Sequence, residues 1–75
     1  MKNTLENLGV TNISIEVLAN NYIYKFDFNN KRYTLAHILN IYGESVDFWE
    51  LYTPSNTVKE FNTLEQAINF LKENN

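Results

Sequence analysis

The chain has 75 residues, of which 44% are hydrophobic and 15% aromatic, and its net charge is −3. A chain of this length is close to the lower limit at which a hydrophobic core alone is sufficient, so we expect one domain spanning residues 1–75. The absence of cysteine excludes disulfides, thiolate zinc sites and cysteine nucleophiles. The excess of acidic residues disfavours generic binding to nucleic-acid phosphates, which usually requires a basic surface.

The composition also indicates where the protein acts. No stretch approaches the roughly 20 apolar residues of a membrane span, and residues 1–7 lack the continuous apolar segment of a secretory signal. We therefore expect a cytoplasmic protein with no membrane partner. The 13 asparagines, together with many Ile, Tyr, Phe and Lys residues, are typical of an AT-rich coding sequence. They hint at a low-GC bacterium, or at a phage or mobile element as the source of the gene.

The N-terminal residues predict a short helix. Asn3 is a favourable N-cap residue, and Glu6 follows it three positions later, as in a capping box. Gly9 can provide the left-handed residue that commonly ends a helix. Leu5 and Leu8 would then face inward.

From Thr11 the hydrophobic period changes to two, which predicts β-structure. The first strand is indicated by three alternating apolar residues: Ile13, Ile15 and Val17. The second strand has the clearest alternation in the chain: Tyr22, Tyr24, Phe26 and Phe28. The pairs Asn20-Asn21 and Asn29-Asn30 predict the turns, because asparagine tolerates positive φ.

The segment 32–42 fits two periods. As a strand, it places five residues on one face: Tyr33, Leu35, His37, Leu39 and Ile41. As a helix, it has an apolar stripe of Leu35, Ile38, Leu39 and Tyr42, with Gly43 as a stop. The asparagine turn before it and its β-favouring first residues favour the strand. Residues 43–45 then predict a turn, residues 46–53 a fourth strand, and residues 58–61 an extended approach to the last helix.

The C-terminal residues predict an amphipathic helix at about 62–73. Asn62 is the expected N-cap, with Glu65 completing a capping box and Phe61 a hydrophobic staple. An apolar stripe follows at helical spacing: Leu64, Ala67, Ile68 and Leu71. The predicted fold is therefore α+β: a short N-terminal helix, a four-stranded antiparallel β-meander, and a C-terminal helix packed on one sheet face.

The alternation also assigns residues to the two faces of this sheet. The helix is expected to pack on Ile13, Ile15, Val17, Tyr24, Phe26, Phe28 and Leu35. The opposite face would present Ile23, Lys25, Asp27, Arg32, Thr34, Ala36 and Ile38. In the fourth strand Phe48 and Tyr52 point one way, whereas Trp49 and Leu51 point the other. Such a two-faced strand predicts an exposed aromatic patch, a second layer formed by the N-terminal helix, or a dimer.

No set of residues indicates catalysis, a metal or a cofactor. His37 is the sole histidine, which leaves it without partners for a zinc site. None of the serines lies in a recognisable nucleophile motif. Asp47 and Glu50 would project from opposite faces of a strand, so they do not form an acid–base pair. We therefore expect a non-enzymatic protein, in which His37 is half-buried and hydrogen-bonded.

These expectations favour a small regulatory module that occupies the surface of a partner protein. The predicted contact residues are Ile23, Ile38, Phe48, Trp49 and Tyr52, since aromatic side chains are favoured interface anchors. One alternative is a sheet that stacks single-stranded DNA or RNA bases on its aromatic residues, and another is a structural homodimer. Residues 61–72 resemble the aromatic-led last helix of the small domains at integrase N-termini. That resemblance consists largely of helix capping, and it implies no function.

Overall fold

The computed structural model describes the backbone of residues 2–73 and the side chains of residues 4–73. Within these residues, one helix precedes and one helix follows five strands along the chain, and the strands form one antiparallel sheet in the order β1-β2-β3-β4-β5. The elements are, in chain order, α1 (Lys2–Leu8), β1 (Thr11–Leu18), β2 (Asn21–Phe28), β3 (Lys31–Ile41), β4 (Glu44–Tyr52), β5 (Val58–Phe61) and α2 (Leu64–Glu73). The α+β meander is therefore confirmed, with one strand more than expected.

The short helix α1 ends as its sequence predicts. Gly9 has a φ of 97°, and its N–H donates to the carbonyl of Glu6 at 3.0 Å. The N–H of Val10 donates to the carbonyl of Leu5 at 3.4 Å, which completes a Schellman motif. Leu5 and Val10 are both buried in the core, so the motif also carries its usual hydrophobic contact. The predicted N-cap was wrong, because α1 already begins at Lys2 and Asn3 therefore lies within the helix.

Each of the first three hairpins has a two-residue loop with positive φ at both positions, the pattern of a type I′ turn. Asn29 and Asn30 form the second loop, as predicted. The first loop is Ala19-Asn20 and the third is Tyr42-Gly43. Each of these two loops therefore begins one residue before its predicted position, which was Asn20-Asn21 for the first and residues 43–45 for the third.

Asn21 is not a turn residue because its side chain joins two strands. Its Oδ1 accepts the backbone N–H groups of Leu39, at 2.7 Å, and Asn40, at 2.9 Å. Its Nδ2 donates to the carbonyl of Asn40 at 3.1 Å. These bonds provide partners for the backbone groups of Leu39 and Asn40 in β3, at the point where a bulge interrupts the pairing of β3 with β4. Asn21 therefore fixes the first hairpin against the third strand.

The strand interpretation of residues 32–42 is confirmed, whereas the four-strand count was wrong. β3 pairs with β2 on one side and with β4 on the other. Residues 58–61 form β5 and pair with β4 from Trp49↔Phe61 to Tyr52↔Val58. The chain reverses because the N–H of Thr53 donates to the carbonyl of Thr57 at 2.9 Å. This turn brings the predicted extended approach back alongside β4.

The N-cap of helix α2 lies one residue later than predicted. Thr63 is the N-cap, because its Oγ1 accepts the N–H of Gln66 at 3.2 Å. In return, Oε1 of Gln66 accepts the N–H groups of Asn62, at 2.9 Å, and Thr63, at 3.3 Å. The capping box is thus Thr63–Gln66 and not Asn62–Glu65. Phe61 packs on Phe70, at a ring-centroid distance of 5.7 Å, in place of the expected staple.

One hydrophobic core lies between the two helices and one face of the sheet. Leu5 of α1 and Ala67, Ile68 and Leu71 of α2 pack in the same cluster as the inward residues of β2, β3 and β4. These inward residues are Tyr24, Phe26, Tyr33, Leu35, Trp49 and Leu51. The expected packing of Ile15 and Val17 against the helix was wrong, because both are exposed and α2 packs on β4 and β5. No helix within residues 2–73 combines the length and apolar character that crossing a bilayer requires.

Candidate functional site

The strongest candidate site is the face of the sheet that neither helix covers, which we call the open face. Because α1 and α2 both pack into the core cluster, neither helix of the described residues forms a second layer over this face. Strand pairing places five cross-strand neighbours on the open face in one row: Glu16, Ile23, Ala36, Glu50 and Glu60. The open face is therefore a continuous surface across all strands.

A trough of about 480 Å³ crosses the centre of the open face. It is lined by Glu16, Leu18, Ala19, Asn21, Ile23, Lys25, Thr34, Ala36, Ile38 and Tyr52. Ala36 is its floor: the side chain is only 4% exposed although no helix covers it, because larger neighbours surround it. β1 and β4 form the walls on either side of β2 and β3. A small residue between larger ones thus produces a concave apolar surface.

The structure places four of the predicted contact residues together. Ile23 and Ile38 are half-buried in the trough, and Tyr52 lies on its wall with 42% of its surface exposed. Phe48 is the cross-strand partner of Ile38 and is also half-buried on the open face. Trp49 is separate from them, because it is 7% exposed and packs in the core on the opposite side of the sheet.

Carboxylates border the trough on both sides. Glu16 lies on the β1 wall, whereas Glu50 and Glu60 are direct cross-strand partners on β4 and β5. Two like charges in this position repel each other, which destabilises the pair unless a cation lies nearby. The hydroxyl of Tyr52 donates to Oε1 of Glu50 at 3.1 Å. Burial, and then the hydrogen bond and charge of Glu50, raise the pKa of the Tyr52 phenol above its ordinary value.

The nearby basic residues compensate for little of this negative charge. Arg32 donates from Nη1 to Oδ1 of Asp27, at 3.1 Å, and to the carbonyl of Asn12, at 3.0 Å. Asn12 itself donates to Oδ2 of Asp27 at 2.7 Å. The bonds from Asn12 and then Arg32 lower the pKa of Asp27 below its ordinary range. Arg32 is thereby committed to fixing the β1 bulge, and among the described residues that line the trough Lys25 is the one cation.

His37 lies on the core side, stacked on Trp49. The two ring centroids are 3.8 Å apart with an interplanar angle of 10°. Nε2 of His37 is 2.8 Å from Oδ1 of Asp47, which confirms a half-buried, hydrogen-bonded histidine. Among the side chains that the structure describes, no three His, Asp or Glu residues are grouped so that they can hold a metal ion.

Two features of the open face were missed by sequence reasoning. The first is that Leu18 and Glu60 lie on the open face, which follows from the pairing of β1 with β2 and of β5 with β4. The alternation of Glu16 and Leu18 along β1 was a sequence signal for Leu18. Ala36 was placed on this face, but an alanine in a strand gives no sign that it is the floor of a trough. Comparison of the chain with protein-family models, curated proteins and solved structures found no match.

Proposed function

We propose that this chain is a small non-enzymatic regulatory protein that binds a partner protein through its open face. The observation that carries the proposal is the uncovered trough over β2 and β3, with its buried Ala36 floor and its wall residue Tyr52. Binding sites are typically concave and lined by apolar side chains together with a few polar groups, and the trough has this character. Half-buried Phe48 and exposed Tyr52 provide the aromatic anchors that protein interfaces favour.

The charge distribution favours a protein over a nucleic acid. A surface that stacks unpaired bases normally combines its aromatic residues with a basic groove that follows the phosphates. Here the central row of the open face carries Glu16, Glu50 and Glu60, and the guanidinium of Arg32 is already bonded to Asp27. Phosphates would therefore meet carboxylates on this surface.

The edges of the sheet are less suitable for binding than its face. β5 has only four residues and carries Lys59 and Glu60, which are features that protect an edge from pairing. β1 is longer, but a bulge between Thr11 and Ser14 interrupts it. Antiparallel pairing of the regular residues 14–18 with a second copy would be centred on Glu16, and would oppose two like charges.

Affinity capture from a lysate of the encoding organism tests the proposal. The tagged wild-type protein is compared with Ala36→Leu, which fills the trough, and with Asn69→Leu, which adds the same side chain to the exposed surface of α2. Tyr52→Ser alters a wall residue without adding volume. Circular dichroism confirms that each variant is folded, and each capture is run both with and without nuclease.

We expect one protein to be retained by the wild type and by Asn69→Leu but lost with Ala36→Leu and Tyr52→Ser. Equal retention by all four proteins would place the interface elsewhere. Recovery that disappears on nuclease treatment would favour the nucleic-acid alternative.

A further inference from the structure

We infer that the partner element bound in the trough is an amphipathic α-helix whose apolar stripe is flanked by Lys or Arg. The inference rests on the proposed function and specifies the chemistry of the partner. In the complex, the sheet would carry helices on both faces, with the partner helix as a third layer opposite α1 and α2.

Backbone hydrogen bonding favours a helix over an extended segment. The trough lies over β2 and β3, and each of these strands is paired on both sides. An extended peptide on this face would find no free N–H or C=O groups, so its own buried backbone groups would lose their hydrogen bonds. A helix satisfies its backbone internally and presents only side chains, as in other helix-in-groove complexes.

The dimensions of the trough also fit a helix. The wall strands β1 and β4 are three strand spacings apart, roughly 14 Å, and a helix with its side chains is about 10–12 Å wide. The trough extends over five residues of β2, from Asn21 to Lys25, which is roughly 15 Å and equals about ten residues of helix. On the other face of the same sheet, α2 is a ten-residue helix.

The charges of the walls determine which helix can bind. A helix lying over Ile23 and Ala36 would place its flanks near Glu16 on one side and near Glu50 and Glu60 on the other. These three carboxylates outnumber Lys25 of the trough lining, so Lys or Arg beside the apolar stripe would relieve the repulsion between Glu50 and Glu60. A second copy of this chain is a poor occupant, because two open faces would oppose their carboxylates.

Synthetic peptides of about 18 residues, long enough to be partly helical alone, provide the test. The probe has a Leu stripe flanked by Lys. One control replaces each Lys with Glu, and a second retains the composition but has two central prolines that prevent a helix. Binding to the full-length wild type, Ala36→Leu and Asn69→Leu is measured by fluorescence anisotropy, and the site is mapped by amide chemical shifts.

We expect the Lys peptide to bind the wild type and Asn69→Leu with shifts at Ile23, Ala36 and Ile38. The Glu peptide and the proline peptide should each bind the wild type with an affinity lower by about tenfold or more, and the Lys peptide should bind Ala36→Leu with a similarly reduced affinity. Equal binding of the proline peptide would overturn the helical occupant, and equal binding of the Glu peptide would overturn the charge assignment. Shifts on β1 alone, or self-association in sedimentation without peptide, would also overturn the inference.

The two proposals can fail separately. A captured protein that depends on Ala36, combined with no binding of the Lys peptide, would leave the proposed function standing and remove the helical occupant. No dependence on Ala36 in either assay would remove both.

Discussion

Adjacent residues of β4 provide a paired test of which sheet face is the core. Trp49 is 7% exposed, stacks on His37 and lies in the core cluster, whereas its neighbour Phe48 is half-buried on the open face. We expect Trp49→Ala to lower the free energy of unfolding by about 3–5 kcal/mol, the usual cost of removing a large core side chain. Phe48→Ala should lower it by only about 1 kcal/mol, because complete burial of a phenylalanine contributes about 1.5–3 kcal/mol.

Urea denaturation followed by far-UV circular dichroism measures both variants, since Trp49→Ala removes the only tryptophan as a fluorescence probe. A 75-residue domain has a total stability of about 4–11 kcal/mol, so at the lower end of this range Trp49→Ala would unfold the domain. Trp49→Phe retains a ring at this position and keeps the comparison quantitative. An equal loss for Trp49→Ala and Phe48→Ala, or a larger loss for Phe48→Ala, would refute the assignment of the two faces.

Three further predictions concern single side chains. Hydrogen bonds lower the pKa of Asp27 in the folded protein, so as the pH falls this carboxylate is protonated in the unfolded chain before it is protonated in the folded one. The free energy of unfolding should therefore decrease below about pH 4. The decrease should be smaller in Asp27→Asn, which has no carboxylate at this position. Tyr42→Asn should raise the free energy of unfolding by about 0.5–1 kcal/mol in urea denaturation, because Tyr42 is fully exposed with a φ of 51° that asparagine tolerates better. Thr63→Ala should lower it by about 1 kcal/mol and Asn62→Ala by much less, since Thr63 is the residue whose side chain caps α2; the reverse order in thermal melts would return the cap to Asn62.

The sequence predicts the local elements of this fold well because period and turn residues are local signals. The alternation from Tyr22 to Phe28 and the Asn29-Asn30 turn lead directly to the observed second hairpin. Position within a turn is less predictable, since Asn21 has the composition of a turn residue but bonds to Leu39 and Asn40 across the sheet. Contacts between distant residues decide such cases.

β5 and the open face show where sequence reasoning ends. Residues 58–61 are too short to show a period, and they become a strand because the turn between Thr53 and Thr57 returns them to β4. In β4, Phe48 and Trp49 are both large and aromatic. The alternation of a strand predicts that they lie on opposite faces of the sheet, but it does not predict which of them lies in the core. The trough depends on the small size of Ala36 relative to its cross-strand neighbours, and register alone identifies these neighbours.

A photo-crosslinking comparison tests most directly whether the open face is the binding surface. Tyr52 on the trough wall, or Tyr42 at the exposed tip of the third hairpin, is replaced by p-benzoylphenylalanine, and each protein is irradiated in a lysate of the encoding organism. We predict a discrete covalent adduct with one partner protein from position 52 and none from position 42. An adduct from position 42 without one from position 52 would contradict the assignment of binding to the open face.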